Sequence, residues 1–373
     1  MAFPTALFIC NSKFLNTSFP EGGVKFCTDE YIQLIKQRFE VIPFSVDYNN
    51  ALFYKIKKTI GLSVYEDYKV EAYRQALAEN IVKHNIKYVF LNLTNTATFA
   101  PLIKQIAPQV KIILCSHGNE SGDFLHDIAG HEKYKPSQKK IATYALGKTL
   151  ITEYGLRKSI NVVLTVSEVE LNIEKWLGAS KIYMVARTIG NKISDIFPVA
   201  GKVGFLGDLN HQPNYYGIKN ICEELASIDN KKIQLQLVGS GKIRGEALQK
   251  EYSFVKYIGH LSNEQLYVEI NSWTFALNPV FYYSRGVSTK LGKILGAGIP
   301  VITTDKGLRG YTWNDGELPV CSNAFEMAEL IIKNSNDKFS YTYYRSEVKK
   351  IQQSAPSLAT MMTDILKLID GAN

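Results

Sequence analysis

The stretch from 285 to 293, read "RGVSTKLGK", places Arg285, Gly286, Val287, Ser288, Thr289 and Lys290 where a turn gives way to a helical pattern over 287–297. A helix opening on small and hydroxyl residues presents free backbone N–H groups and the positive end of its dipole, which suits an anion. Arg285 and Lys290 add charge within reach of the same point. Two further loops have related chemistry. "VGFLGDLNHQPN" puts Gly207 and Asp208 after a strand pattern, with Pro213 and Asn214 at a helix start, and "LVGSGK" puts Gly239, Ser240 and Gly241 after another. Glycines there let a backbone approach a ligand closely. Taken singly, a glycine after a strand is a turn and Ser288 or Thr289 is an N-cap; taken in order, the three loops describe a phosphate cradle.

In the first half, "SHGNESGDFLHD" follows a strand pattern with His117, Glu120 and Asp123. His117 is expected at the carboxyl end of its strand. Glu120 and Asp123 have the chemistry of acceptor-hydroxyl partners or general bases, and equally that of helix caps. Glu21, beside Gly22 and Gly23, is a further candidate base. His117, Asp123, His126 and Asp127 match no zinc spacing, so no metal is expected.

The elements that must position these residues alternate regularly. Short apolar runs at 5–10, 39–44, 87–93, 111–116 and 161–167 read as parallel strands covered on both faces, with helical patterns at 23–38, 70–84 and 138–159. The alternation restarts with strands at 202–207, 233–241, 255–259, 275–279 and 299–304, and helices near 214–227, 262–272, 287–297 and 323–335. This predicts an α/β protein of two Rossmann-like, doubly wound domains facing a cleft: 1–190, a linker at 191–201, 202–350, and a C-terminal helix over 351–373 packing back on the first domain. Open parallel sheets bind ligands beyond the carboxyl ends of their strands, where all of these candidates fall.

Composition narrows the class. The 373 residues are 46% hydrophobic and 21% charged, with no apolar run approaching the roughly 20 residues of a membrane span. The N-terminal "MAFPTALFICNSKF" reads as a first strand, and a cytoplasmic location is expected, with the inner membrane face as a peripheral site. Five widely spaced cysteines indicate neither disulfides nor zinc. A net charge of +8 suits phosphate-bearing ligands or an anionic membrane, while no nucleic-acid-reading motif is present. "KIKKTIGL" (55–62) and the helix carrying Lys139, Lys140, Lys148, Arg157 and Lys158 beside Ile141, Tyr144, Leu150 and Tyr154 read either as membrane-binding faces or as ordinary solvated helices.

The run from "VGFLGDLNHQPNYYGI" through "LVGSG" and "YIGHLSNEQLYVEINSWTFALNP" to "SRGVSTKLGKILGAGIPVITTDKGLRGY" resembles the donor-binding domain of GT-B glycosyltransferases, especially the bacterial group of retaining hexosyl- and rhamnosyltransferases. The resemblance covers about 200–335 well and the first half more loosely. It implies that Tyr257, Ile258 and Gly259 lie against the nucleobase, that 286–290 hold the diphosphate, and that the Gly22–Gly23 loop meets donor phosphates or acceptor. It also implies that His117 stands near the transferred sugar, and that no cofactor or metal is needed. Many relatives carry two glutamates with seven residues between them across the last loop and helix; here Arg285 and Lys293 occupy those positions. A lysine cannot accept hydrogen bonds from ribose hydroxyls, so a thymidine diphosphate sugar is the expected donor. The function expected is transfer of a hexose or deoxyhexose from a nucleotide sugar to a glycan or lipid-linked acceptor. The alternatives are a nucleotide-sugar 2-epimerase, which needs no acceptor, a silent nucleotide-sugar-binding scaffold, which never releases nucleotide, and a basic peripheral membrane or nucleic-acid module, which binds in a salt-dependent way with no saturable nucleotide site.

Overall fold

The computed structural model describes residues 3–16, 18, 22–61, 64–130, 135–190, 197–228, 232–282, 285–311, 313 and 316–371. Glu21 and residues 191–196 of the expected linker lie outside them. The chain forms two units, one of residues 1–186 with 356–373 and the other of residues 187–355.

The first unit carries strands β1 (Thr5–Asn11), β2 (Glu40–Val46), β3 (Tyr88–Asn92), β4 (Lys111–Cys115), β5 (Val162–Thr165) and β6 (Ile182–Met184), in the order β2-β1-β3-β4-β5-β6 and all parallel. The inner strands β1, β3, β4 and β5 are almost wholly buried, which is why they are continuous apolar runs and do not alternate. The second unit repeats the plan with β7 (Lys202–Leu206), β8 (Gln234–Val238), β9 (Val255–Gly259), β10 (Phe275–Asn278), β11 (Val301–Thr304) and β12 (Val320–Cys321), ordered β12-β11-β10-β7-β8-β9. Strand order reverses between β1 and β3 in one sheet and between β7 and β10 in the other. Loops leaving the carboxyl ends of those pairs diverge and leave a crevice for ligands.

Helix boundaries follow local chemistry. The helix expected at 138–159 runs Pro136–Arg157, with Pro136 in the first turn where its missing N–H costs nothing. The pattern at 70–84 enters through a 3₁₀ turn, Val70–Tyr73, before the helix Arg74–Lys83. Near the C-terminus, Lys338–Ser354 stops ahead of Pro356, which disfavours a helical residue before it. The last helix, Leu358–Asp370, starts on a Ser357 cap and belongs to the first unit. There Tyr88 Oη donates to Asp370 at 3.2 Å and Lys181 Nζ to the Leu368 carbonyl at 2.8 Å. Among the described residues no helix is long and apolar enough to cross a membrane, and all five cysteines are free and buried.

Candidate functional site

In the second unit, the crevice residues converge on one ammonium group. Lys290, in the first turn of the helix Thr289–Gly296, donates from Nζ to Asn214 Oδ1 at 2.8 Å and lies 4.4 Å from the centre of the Phe205 ring. Asn214 begins the helix that follows β7, and Phe205 lies within β7. The lysine therefore reaches from the loop after β10 to the loop after β7, across the point where strand order reverses. Gly207 makes this possible: a Cβ there would stand 3.1 Å from Lys290 Nζ and 2.9 Å from Phe205.

The neighbours of this ammonium are neutral. Asn214 is held in orientation because its Nδ2 donates to the Asp208 carbonyl at 2.9 Å, which leaves Oδ1 for the lysine. Removal from water, with no compensating carboxylate, pushes the Lys290 pKa down from 10.5 to about 7. Holding the charged form there costs on the order of 5 kcal/mol relative to water.

The helix N-terminus that carries Lys290 is fixed from two sides and not by self-capping. No side chain of its own caps it. Ser288 Oγ instead donates to Asn278 Oδ1 at 3.2 Å, while Asn278 Nδ2 donates to Thr303 Oγ1 (3.0 Å) and the Gly307 carbonyl (2.7 Å), tying the ends of β10 and β11 together. From the other side Tyr311, 2% exposed, donates to the Ser288 carbonyl at 2.7 Å and accepts from the Gly292 N–H at 2.8 Å. Gly286 adopts φ +73°, a left-handed turn that a side chain would oppose, just ahead of the helix.

The remaining residues predicted to bind the donor lie at the neighbouring strand-to-helix turns of the same unit. Gly239, Ser240 and Gly241 form the turn after β8, where the Leu209 N–H donates to the Ser240 carbonyl at 3.0 Å. The Asp208 carboxylate accepts from the Asn210 N–H at 2.8 Å and so shapes its own loop. Tyr257 packs its ring on Gly245 and donates to the Gly239 carbonyl at 2.9 Å, so its side chain braces the β8 turn, leaving backbone at Ile258 and Gly259 at the strand end. Arg285 is exposed. Lys293, one turn beyond Lys290, donates to Asn263 Oδ1 at 3.3 Å, at the start of the helix after β9. Val287 and Thr289 are half-buried.

In the first unit, His117 follows β4 and its Nε2 lies 2.8 Å from Asn92 Oδ1 at the end of β3. Asn92 Nδ2 is engaged with Thr28 Oγ1 at 2.9 Å, so Oδ1 faces the imidazole and accepts from an Nε2–H. Tyr31, from the helix Gly23–Ile35 that Gly22 precedes, packs its ring 5.4 Å from that of His117 and donates to the Ser116 carbonyl at 2.7 Å. Beyond His117 the loop is held by buried carboxylates. The Asn119 N–H donates to Glu170 at 2.6 Å, Asn119 Oδ1 accepts from the Gly122 N–H at 2.6 Å, and Ser121 Oγ donates to Glu153 at 2.6 Å. Burial pushes the Glu153 carboxyl pKa up, against the opposing hydrogen bonds from Ser121 and Tyr65. Glu120 and Asp123 occupy the first turn of the helix Glu120–Gly130, where negative charge is favoured. Among the described residues no three His, Cys, Asp or Glu side chains gather as a metal site. Arg157, expected on a basic face, is instead fully buried in a bidentate pair with Glu174 at 2.5 and 2.7 Å, and Leu150 is half-buried against Ile128, Ala142 and Leu146.

Several of these residues were not singled out from sequence: Asn92, Asn278, Phe205, Tyr31, Tyr311 and Gly292. Asn11, Asn92 and Asn278 each close an otherwise apolar strand, and that pattern was the available signal.

Comparison with known proteins places this geometry. Residues 200–337 match the family model described as "Glycosyl transferases group 1". Sucrose-phosphate synthase from Thermosynechococcus elongatus superposes with a TM-score of 0.68 at 15% identity, over 99% of this chain and 100% of that one. Anabaena HepE in complex with UDP-glucose gives 0.63 at 13% identity over 98% and 99%, and the lipopolysaccharide outer core galactosyltransferase WaaB gives 0.61 at 11% identity over the whole of both chains. The fold is GT-B. Among curated proteins no sequence matches the chain. In GT-B terms, the second unit is the half of the molecule that matches the family model, and the Lys290 crevice lies within the matched residues.

The desolvated ammonium has a measurable signature. Its pKa is lower in the folded state than in the unfolded one, so it destabilises the fold fully below pH 7, progressively less toward 10.5, and not at all above. Lys290→Met should therefore melt higher than the parent protein at pH 6 to 7, by roughly 1–3 kcal/mol after loss of the Asn214 bond, with the difference closing as pH rises to 10. A variant that melts lower at pH 6 would show that the ammonium is not held at a cost.

Proposed function

We propose that the protein is a glycosyltransferase moving a hexose or deoxyhexose from a nucleoside diphosphate sugar to a glycan or lipid-linked acceptor. The observation that carries this reading is the Lys290 ammonium, on a half-buried side chain at the β7/β10 switch point among neutral partners and set in the first turn of a helix without a side-chain cap. A diphosphate is the ligand class such a site favours, because it supplies the missing negative charge and accepts from free helix N–H groups. The GT-B fold and the group 1 match over the same residues support it.

In the reaction, an acceptor hydroxyl oxygen bonds to the anomeric carbon while the bond from that carbon to the phosphate oxygen breaks. The electron pair leaves with the nucleoside diphosphate, and the hydroxyl proton passes to a base or to the leaving phosphate. Charge grows on the diphosphate as the bond breaks, so Lys290 and the helix N-terminus stabilise the transition state more than the ground state. We assign His117, held by Asn92 and Tyr31, to the sugar, and Glu120 and Asp123 to acceptor hydroxyls. Retention of anomeric configuration follows the group that the sequence resembles.

Lys293 carries the donor proposal further. It donates to Asn263 beside the β9 loop and offers no acceptor for ribose hydroxyls. A deoxyribose nucleotide loses least from that, so TDP should compete at least as well as UDP or GDP in calorimetric titration against the protein. A tenfold preference for UDP or GDP, about 1.4 kcal/mol, would defeat the deoxyribose proposal, and absence of binding by all three would defeat the donor site itself.

A lipid-linked acceptor is favoured by one face of the first unit. Just past the helix Leu52–Thr59, Gly61 approaches Ile141 and Ala145 of the helix Pro136–Arg157. Leu52 (74% exposed), Phe53 (69%), Ile56, Ile141, Tyr144, Ile151 (75%) and Tyr154 of these helices, with Ile60 just after the first, are exposed alongside Lys55, Lys57, Lys139, Lys140, Lys148 and Lys158. The only acidic residue in either helix, Glu153, is buried. Apolar side chains ringed by lysines complement an anionic lipid surface, at about 1 kcal/mol per basic residue. The protein should sediment with phosphatidylglycerol-containing vesicles and not with phosphatidylcholine alone, and Phe53→Ser with Ile56→Ser should weaken this about tenfold. Equal partition onto both vesicle types, or no effect of the substitutions, would contradict the contact.

A further inference from the structure

The first turn of the helix Thr289–Gly296 is not closed in the ordinary way. An α-helix would join the Gly292 N–H to the Ser288 carbonyl; here the Tyr311 hydroxyl stands between them, accepting from the first at 2.8 Å and donating to the second at 2.7 Å. The Ser288 carbonyl also receives the Leu291 N–H at 3.1 Å, a tighter 3₁₀ bond. Insertion of a side chain into the ladder opens the turn locally, and the opened turn contains Lys290.

The insertion depends on two residue types at once. Only a group that both donates and accepts can satisfy an N–H and a C=O together, which a phenol does and a phenyl ring does not. Gly292 supplies the space, because a Cβ there would lie 2.8 Å from the Tyr311 oxygen. Tyr311 itself comes from the segment after β11 and is buried near Trp313, with its N–H bonded to the Leu308 carbonyl at 3.0 Å, so the hydroxyl is delivered from a fixed base.

We propose that Tyr311 is a positioning residue whose hydroxyl, wedged into the first helical turn against Gly292, sets the backbone from which Lys290 reaches Asn214 and thereby governs affinity for the donor diphosphate. The proposal rests on the donor reading above for its ligand but not for its geometry. Removing the hydroxyl lets the Gly292 N–H and Ser288 carbonyl close directly. The span between them contracts from two hydrogen bonds to one, and Lys290 shifts relative to Asn214, Phe205 and Gly207, none of which titrates.

Two measurements on the full chain decide it. In the ligand-free protein, NMR titration of the Lys290 side chain should show its ionisation moving back toward the ordinary lysine range in Tyr311→Phe, and likewise in Gly292→Ala, which evicts the hydroxyl by a different route. An unmoved Lys290 titration in both folded variants would overturn the proposal whether or not a nucleotide binds. In calorimetric titration with UDP and TDP, Tyr311→Phe should weaken binding about tenfold, yet by less than about twofold when introduced into Lys290→Met. Additive losses in the double variant would mean that Tyr311 does not act through Lys290. If the parent protein binds neither nucleotide, the donor reading fails while the NMR result still decides the role of Tyr311.

Discussion

A charged group held away from water with neutral partners is the constraint around which the second unit is arranged. The Lys290 ammonium would be more stable in solvent, and burial depresses its pKa to about 7. The surrounding structure keeps it in place: Asn214 oriented by the Asp208 carbonyl, Gly207 lacking a Cβ, Phe205 beneath, and a helix start pinned through Asn278 and Tyr311. Such strain against solvation persists only where the fold over-determines the position, and sites of this kind cluster where a ligand repays the cost.

The two sheets solve the same problem with the same device. At each reversal of strand order a buried asparagine closes an apolar strand, Asn92 in the first unit and Asn278 in the second, and each uses its amide nitrogen on neighbouring protein while its oxygen orients a residue of the crevice. In the first unit the oriented group is His117, and in the second it is Ser288 at the head of the Lys290 helix. The amide suits this because it has both donors and acceptors fixed in one plane. Beyond His117, the buried Glu170 and Glu153 carboxylates hold Asn119 and Ser121, where the loop enters the next helix.

Much of this was legible in the chain. The alternation of apolar runs and helical patterns located ten of the strands, because strands covered on both faces must be apolar and short. The glycine-rich loops and the basic, hydroxyl-rich start at 285–290 fall at the crevice of the second unit, because turns leaving the carboxyl ends of parallel strands favour small residues there. The edge strands Ile182–Met184 and Val320–Cys321 were not legible, being too short to show a period. Neither were Asn214 as a lysine partner, separated from it by 76 positions, nor Tyr311, whose hydroxyl enters another element's backbone ladder. Long-range polar pairing leaves no local periodicity. Arg157 illustrates the converse: it stood in a run of basic residues, yet the helix turns it inward to Glu174.

With its pKa depressed by burial, Lys290 is partly neutral in the ligand-free protein, and on the proposed function it takes up a proton when a diphosphate binds. Calorimetric titration with TDP or UDP at pH 8, repeated in buffers of different ionisation enthalpy, counts the protons taken up on binding. With a ligand-free pKa of about 7, uptake should be about 0.9 proton per nucleotide at pH 8, where the phosphates are already ionised, and should vanish in Lys290→Met. Binding without proton uptake, or uptake that survives the substitution, would contradict the account.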